Sequence, residues 1–276
     1  MYSGGMLAVA GWNILGAGLL LGPLTILSVT FHAIRKRRFS RPMAAAMALA
    51  IVSLMPALWL LGLFTITFPY SLATSGPSAI VRLPADNPMR VVWGGDNVKV
   101  NRHAMTPDQR WAYDLSIEPG ILSKSSRLED YGCYGKTVVA PVTARVHFAI
   151  DGEPDQTPRK LGATKNPLGN AVVFALDTGT YLLVAHLKRG SVLVRAGEQV
   201  REGQPIGQCG NSGNTTEPHI HIHHQRQDPK DRTLGMSEGL PLYFRDHGGA
   251  AMPEGGFQFR GGKVVLTGAE IRHQGR

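Results

Sequence analysis

Residues 207–224 read GQCGNSGNTTEPHIHIHH. The glycine- and asparagine-rich first part is typical of a tight loop, and Pro218 restricts φ just before a strand begins. Side chains alternate between the two faces of a β-strand, so His219 and His221 point the same way. Two imidazoles on one face could bind a metal ion, or one could bind it while the other acts on a substrate. The same residues would also suit a polar edge strand or a histidine cluster that takes up metal adventitiously.

The chain after residue 90 has the composition of a β-rich domain. Short runs with many β-branched residues, at 90–93, 137–139, 171–175 and 180–185, alternate with Gly, Pro, Asn and Asp. No long amphipathic helical period follows residue 90, and residues 151–168 have the polar composition of an exposed loop. The predicted fold class is therefore mostly β, with antiparallel sheets.

Two apolar stretches at the N-terminus predict a transmembrane hairpin. Residues 6–34 and 43–68 are each long enough to span a bilayer, and RKRRFSR at 35–41 separates them. The positive-inside rule places this basic loop in the cytoplasm and both chain ends outside. A signal peptide would carry positive charge before its apolar core, and nothing basic precedes Arg35. Two uninterrupted runs of this length also disfavour a buried soluble helix pair.

The charge of the chain is concentrated near this hairpin. Lys and Arg exceed Asp and Glu by 29 − 20 = 9, and residues 1–69 contribute five basic residues and no acidic one. The remainder has a net charge of 24 − 20 = +4, which suits an anionic polymer but is too small to indicate nucleic acid. The two cysteines, Cys133 and Cys209, could pair in an oxidising compartment, remain free and buried, or bind metal.

Three further residues could take part in metal chemistry, although each alone has a simpler interpretation. Asp114 lies in an apolar context, where a lone Asp is more often a turn or cap residue. His103 alone would be an ordinary surface histidine, and His186 could cap the apolar strand that it ends. A catalytic zinc needs three protein ligands and an open position, and a hydrolase also needs groups that move protons.

Taken in order, these motifs resemble the lysostaphin-type (LytM-domain) zinc metallopeptidase family. The order is Asn-x-His, Tyr-Asp, Ala-His-Leu, a glycine-rich turn from Gly197 to Gly207, Gly-Asn-Ser-Gly-Asn-Thr and Pro-His-Ile-His. The likeness covers roughly residues 80–247 and is most specific at 197–223. Residues 131–136, YGCYGK, also match, and the apolar hairpin lies outside it.

The resemblance implies a role for each matching residue. His221 and Asp114 would bind Zn2+, and His186 and His219 would be the catalytic histidines that handle protons and stabilise negative charge. The usual first motif is HxxxD, but its histidine position is Arg110, which cannot bind zinc because its guanidinium stays protonated. A subset of the family has Asn-x-His upstream of a Gln-Arg-aromatic-Ala-x-Asp block. This chain matches that subset, so His103 is predicted as the third ligand. His223 shares the face of His219 and His221 and could support the site, line a groove wall or simply decorate the surface.

These residues and the hairpin predict a membrane-anchored zinc endopeptidase that cuts peptide cross-bridges of bacterial cell-wall peptidoglycan. The predicted domains are the hairpin (1–69), a linker (70–86), the peptidase domain (87–247) and a C-terminal tail with a peripheral strand (248–276). The protein is expected in the bacterial cytoplasmic membrane with its peptidase domain outside, with no nucleic-acid partner and with room for envelope protein partners. The alternative is a catalytically degenerate envelope module that binds the wall or regulates a partner hydrolase.

Overall fold

The computed structural model describes residues 5–61, 63, 70–160, 162, 164–230 and 235–275. The chain divides into two compact units, Met1–Thr74 and Ser75–Arg276. The first unit is helical and the second is built from strands and short 3-10 turns. The predicted boundaries of the linker and the tail stay predictions.

Among its described residues, the first unit contains three α-helices, α1 (Met6–Lys36), α2 (Arg41–Ser53) and α3 (Met55–Leu60), and a short 3-10 helix, Leu72–Thr74. Two helical segments are long and apolar enough to cross a membrane, Met6–Lys36 with a mean hydropathy of 2.0 and Arg41–Leu58 with 1.6. Few of their side chains are buried within the protein, which is unlike the core helix of a soluble domain. Residues 62 and 64–69, at the end of the second predicted span, lie outside the described residues.

Two glycines bring α1 and α2 close together. A Cβ on Gly22 would lie 2.6 Å from Oγ of Ser53, and one on Gly18 would lie 3.1 Å from Cβ of the same serine. The Ser53 hydroxyl donates a hydrogen bond to the Gly18 carbonyl at 3.2 Å. Small residues four apart allow this approach, which is a common packing device between membrane helices.

The second unit is mostly antiparallel β, which confirms the predicted fold class. A nine-stranded sheet has the order β15-β2-β3-β10-β7-β6-β5-β8, with β11 paired to β10, and all its pairings are antiparallel. Three two-stranded sheets join β1 to β12 in parallel, β4 to β9, and β13 to β14. The strands are β1 (Ala79–Val81), β2 (Met89–Trp93), β3 (Tyr113–Ser116), β4 (Thr137–Val139), β5 (Ala144–Ile150), β6 (Asn170–Ala175), β7 (Tyr181–Leu187), β8 (Gln199–Val200), β9 (Pro205–Gln208), β10 (Ile220–Gln225), β11 (Gly239–Leu240), β12 (Leu242–Phe244), β13 (Phe257–Arg260), β14 (Lys263–Leu266) and β15 (Glu270–Ile271).

The strand β10 lies inside the large sheet, between β3 and β7, and its two faces have different chemistry. Ile220 and Ile222 enter the apolar core, which lies between the large sheet and the small pairs β4–β9 and β1–β12. His219, His221 and His223 occupy the opposite face, as the alternation predicts. The two cysteines form a disulfide between Cys133, just before β4, and Cys209, just after β9.

Candidate metal centre and active site

Strand register brings the aspartate and the histidine of the candidate metal centre together. β10 pairs with β3 so that His221 lies directly opposite Asp114, 107 residues earlier in the chain. Nδ1 of His221 is 2.8 Å from Oδ1 of Asp114, and both side chains are buried. Directly opposed residues share a sheet face, so this contact is fixed by the antiparallel pairing.

His103 reaches the same carboxylate from outside the sheet. It lies in the 3-10 turn Arg102–Met105, and its Nε2 is 2.9 Å from Oδ2 of Asp114. The side chain of Asn101 holds this turn: its Oδ1 accepts from the backbone N–H of His103, and its Nδ2 donates to the carbonyls of Gly95 and Ala112. The Asn-x-His motif therefore has a structural reason, since the buried asparagine ties the ligand-bearing turn to the approach to β3.

A β-bulge turns His186 toward the site. Val184 pairs with Val172 and Leu187 with Asn170, so β7 has one residue more than β6 between these pairs. His186 has φ 63, a left-handed conformation that is uncommon for residues other than glycine. Regular alternation after Val184 would direct residue 186 to the core, and the bulge places Leu187 there instead. His186 consequently shares the polar face with His219 and His221.

Both of these additional histidines are anchored through one ring nitrogen. Nδ1 of His186 donates to the Ser212 carbonyl at 2.8 Å, and Nδ1 of His219 donates to the Glu217 carbonyl at 2.7 Å. Carbonyl oxygens only accept, so Nδ1 carries the hydrogen in both rings. Nε2 of His219 then faces Asp114, at 3.3 Å from Oδ1.

Burial and charge give these groups different protonation states. Burial alone would raise the pKa of Asp114, but positive charge on His103 and His219 outweighs it and holds that pKa well below its usual value. Burial lowers the pKa of His186 well below its usual value. Burial acts the same way on His219, but the Asp114 carboxylate outweighs it and raises the pKa of this histidine. The site therefore combines a carboxylate that stays ionised, an imidazole that stays neutral and a histidine whose pKa is raised.

The side chains fit a divalent cation. Two sets of three donor atoms lie within 4.8 Å of one another, namely His103 with Asp114 and His221, and His186 with His219 and His221. Within the described residues, the buried Nε2 of His103 has no hydrogen-bond partner, although it lies 2.9 Å from a carboxylate oxygen. Nitrogen and oxygen atoms that lie this close without forming a hydrogen bond are expected where they are ligands of the same metal ion. Two imidazoles and a carboxylate are also a usual donor set for a catalytic zinc.

The candidate centre opens into a cleft with a volume of about 260 Å³. Its walls include residues from the turn that carries His103, from the next 3-10 turn (Pro107–Gln109) and from the loop that precedes β6, among them Arg102, Met105, Gln109, Pro167 and Leu168. The 151–168 segment is tied to the loop after β9: the Asp155 carboxylate accepts from the backbone of Asn211 at 2.7 Å, and Gln156 accepts from the Asn211 side chain at 2.9 Å. The polar segment thus contributes to the cleft wall.

All five predicted site residues line this cleft: His103, Asp114, His186, His219 and His221. Arg110 is buried elsewhere, 2.7 Å from Asp96, with its guanidinium over the ring of Trp111. His223 lies beneath His221 and away from the cleft wall, with its Nδ1 2.9 Å from Nε2 of His221. Sequence reasoning missed the carbonyl of Ser212 and the side chain of Gln225, because backbone acceptors and buried amides leave no pattern in a single sequence.

Comparison with known families identifies the segment around this site. Residues 129–232 match the model of peptidase family M23. This segment includes His186, His219 and His221, while Asp114 and His103 precede it.

Two curated relatives are peptidoglycan DD-endopeptidases of Vibrio cholerae serotype O1. ShyC is 34% identical over 111 residues, which cover 38% of this chain and 24% of the relative. ShyA is 27% identical over 128 residues, which cover 46% of this chain and 28% of the relative. The chain thus spans about a quarter of the length of the relatives it matches. Among solved structures, a zinc-containing peptidase from Vibrio cholerae is 24% identical with a TM-score of 0.27, over 39% of this chain and 28% of that one.

Proposed function

We propose that the protein is a membrane-anchored zinc endopeptidase acting on peptide cross-bridges of bacterial peptidoglycan, because residues 129–232 match the model of peptidase family M23. The relatives named as peptidoglycan endopeptidases support the substrate class. The two apolar helical segments support the anchor. The convergence of His103 and His221 on Asp114 is the observation that carries the proposal.

His103, Asp114 and His221 are the proposed ligands. A bound zinc ion supplies Lewis acidity, which polarises a substrate carbonyl and makes water acidic enough to deprotonate near neutral pH. The chain's own task is to move the proton and to stabilise the charge that develops. Nε2 of His186 is suited to accept a proton, because its Nδ1 hydrogen is committed to Ser212 and burial keeps the ring neutral.

His219 is suited to the complementary role. The Asp114 carboxylate raises the pKa of His219, and its Nδ1 hydrogen is held by the Glu217 carbonyl, so a protonated His219 donates through Nε2. A fixed donor at the place where negative charge develops lowers the barrier of acyl transfer. The alternative of a degenerate binding module depended on a missing ligand, and the position of His103 favours catalysis instead.

The test is hydrolysis of purified peptidoglycan by the full chain in detergent with zinc, with products identified by mass spectrometry. The His221→Ala variant is expected to lose both bound zinc and cleavage. His147→Ala is the matched control, because this histidine is half-buried on the same sheet and bonds to Asp228 outside the cleft. Cleavage by His221→Ala at the wild-type rate would contradict the proposed function.

A further inference from the structure

A buried row of polar side chains extends along β10 from the candidate metal centre. Nε2 of His221 lies 2.9 Å from Nδ1 of His223, and Nε2 of His223 lies 3.1 Å from Oε1 of Gln225. These side chains are only 2–3% exposed. The roles proposed above use neither His223 nor Gln225. A buried polar atom without a partner is costly, so the hydrogens along this row are constrained.

The amide of Gln225 fixes one end of the row. Its Nε2 donates to the backbone carbonyl of Gln227 at 2.7 Å, and a carbonyl oxygen can only accept. Oε1 therefore faces His223, and it too can only accept. Nε2 of His223 must carry the hydrogen in this contact. His223 is 2% exposed, and its two ring nitrogens contact an imidazole nitrogen and an amide oxygen. A charge buried without a carboxylate partner is costly, so the ring is neutral and its Nδ1 is an acceptor.

The tautomer of His223 in turn determines which nitrogen of His221 carries the hydrogen. Nδ1 of His223 needs a donor, and Nε2 of His221 is the atom beside it. If that nitrogen carries the hydrogen, Nδ1 of a neutral His221 presents a lone pair. This Nδ1 lies 2.8 Å from a carboxylate oxygen of Asp114. Two acceptors at this distance repel one another unless a cation lies beside them, which is the condition of a metal site.

We propose that His223 and Gln225 are positioning residues that hold His221 in the tautomer whose Nδ1 binds the metal. The inference rests on the metal site of the proposed function. Ligating histidines usually donate their other N–H to a carboxylate, a carbonyl or water. Here a second histidine accepts that hydrogen, and an amide two residues further on sets the orientation of the second ring. Residues 221, 223 and 225 share one strand face, so the strand itself aligns the three groups.

The zinc affinity of the full chain in detergent, measured by competition with a chromophoric chelator, tests this role. His223→Leu removes the acceptor and is expected to weaken zinc binding about 10- to 100-fold. His223→Asn keeps an acceptor oxygen near the position of Nδ1, so it should restore most of the affinity. His224→Leu is the matched control, because His224 is equally buried on the opposite face and bonds to Thr180 and the Pro241 carbonyl.

Wild-type affinity in His223→Leu would overturn the inference while leaving the proposed function intact. Zinc bound by His221→Ala as tightly as by the wild type would instead overturn the proposed function, and the inference with it. Nitrogen-15 NMR of the histidine-labelled wild type needs no variant and reports which ring nitrogen carries hydrogen. The expected result is a hydrogen on Nε2 of His223 in the zinc-loaded chain. A hydrogen on its Nδ1 would refute the proposed order of donors.

Discussion

At the scale of single residues, substitutions at His186 and His103 distinguish the two sets of ligand atoms that could bind a metal, because each residue belongs to only one set. His186→Ala is expected to retain bound zinc and to lower the rate of peptidoglycan hydrolysis about 10²- to 10⁴-fold, the usual contribution of a general acid or base. His103→Ala is expected to lose zinc, because it removes one of the three proposed ligands. Zinc content by atomic absorption and hydrolysis rates check both variants. Loss of zinc from His186→Ala, with retention in His103→Ala, would favour the set formed by His186, His219 and His221.

His224 makes the fold sensitive to acid. Burial lowers its pKa to about 4, while the unfolded chain has an ordinary histidine pKa of about 6.5. Between these values the unfolded state binds more protons, so stability falls as the pH drops from 7 toward 4. This group alone should cost about 2 kcal/mol of unfolding free energy between pH 7 and pH 5.

Urea denaturation of wild type and His224→Gln at both pH values measures this contribution. The glutamine can still contact Thr180 but does not titrate. Between pH 7 and pH 5, His224→Gln should therefore lose about 2 kcal/mol less unfolding free energy than the wild type. The other buried histidines are unchanged and contribute equally to both proteins. An identical pH dependence in the two proteins would show that His224 is not the responsible group.

The sequence alone could indicate the candidate site only where a regular pattern or a family likeness carried the signal. The period of two in β10 places His219 and His221 on one face. The same rule fails at His186, because a one-residue bulge with φ 63 reverses its direction. Nothing in a single sequence marks that bulge. The closeness of His103 to Asp114 depends on a short turn held by Asn101, and periodicity cannot place such a turn.

At the scale of structural elements, two glycine turns hold the carbonyl that orients His186. A Cβ on Gly213, which has φ +84, would lie 2.4 Å from the backbone nitrogen of Gly169. Gly213→Ala should therefore destabilise the fold and displace the neighbouring Ser212 carbonyl. Gly179 is the matched control, since its φ is +73 and nothing lies within 4 Å of its Cβ position. Alanine there should cost about 1–2 kcal/mol from backbone conformation alone.

Urea denaturation and hydrolysis rates of the two variants separate two effects: the unfavourable positive φ, which both share, and the steric clash with Gly169, which only Gly213→Ala has. Gly213→Ala should lose more stability than Gly179→Ala, and it alone should lose activity. Equal stability losses with equal activity would mean that the close approach of the two loops does not support His186.

Several strands follow the sequence signals closely where β-branched and apolar residues are concentrated. The predicted stretch 137–139 coincides with β4, and 171–175 lies within β6. The tail predicted to hold a peripheral strand contains β14 and also its partner β13, which was not foreseen because the exposed Phe259 and Arg260 give it no inward face. The pairing of β10 with β3 and β7 is also beyond sequence reasoning, since it joins residues that lie far apart in the chain.

At the scale of the whole molecule, the distribution of charge sets which side of a membrane each part should occupy. Residues 1–69 contain five basic and no acidic residues, and all five lie between the apolar stretches at 35–41. By the positive-inside rule, an excess of Lys and Arg in a short loop favours the cytoplasmic side for that loop. The peptidoglycan substrate lies outside the cytoplasmic membrane, so the proposed function requires the loop and the β-rich unit to lie on opposite sides.

Single-cysteine labelling in spheroplasts tests this topology. Ser40→Cys, in the basic loop, should react with a membrane-impermeant maleimide only after permeabilisation, whereas Lys263→Cys, at an exposed site on β14, should react at once. The native Cys133 and Cys209 are joined in a disulfide and should give no background. Replacing the basic residues of the loop with glutamine should make the maleimide labelling of Ser40→Cys and Lys263→Cys more alike, because the charge bias that orients the hairpin is then lost. Immediate labelling of Ser40→Cys with protection of Lys263→Cys would place the candidate active site in the cytoplasm, away from its proposed substrate.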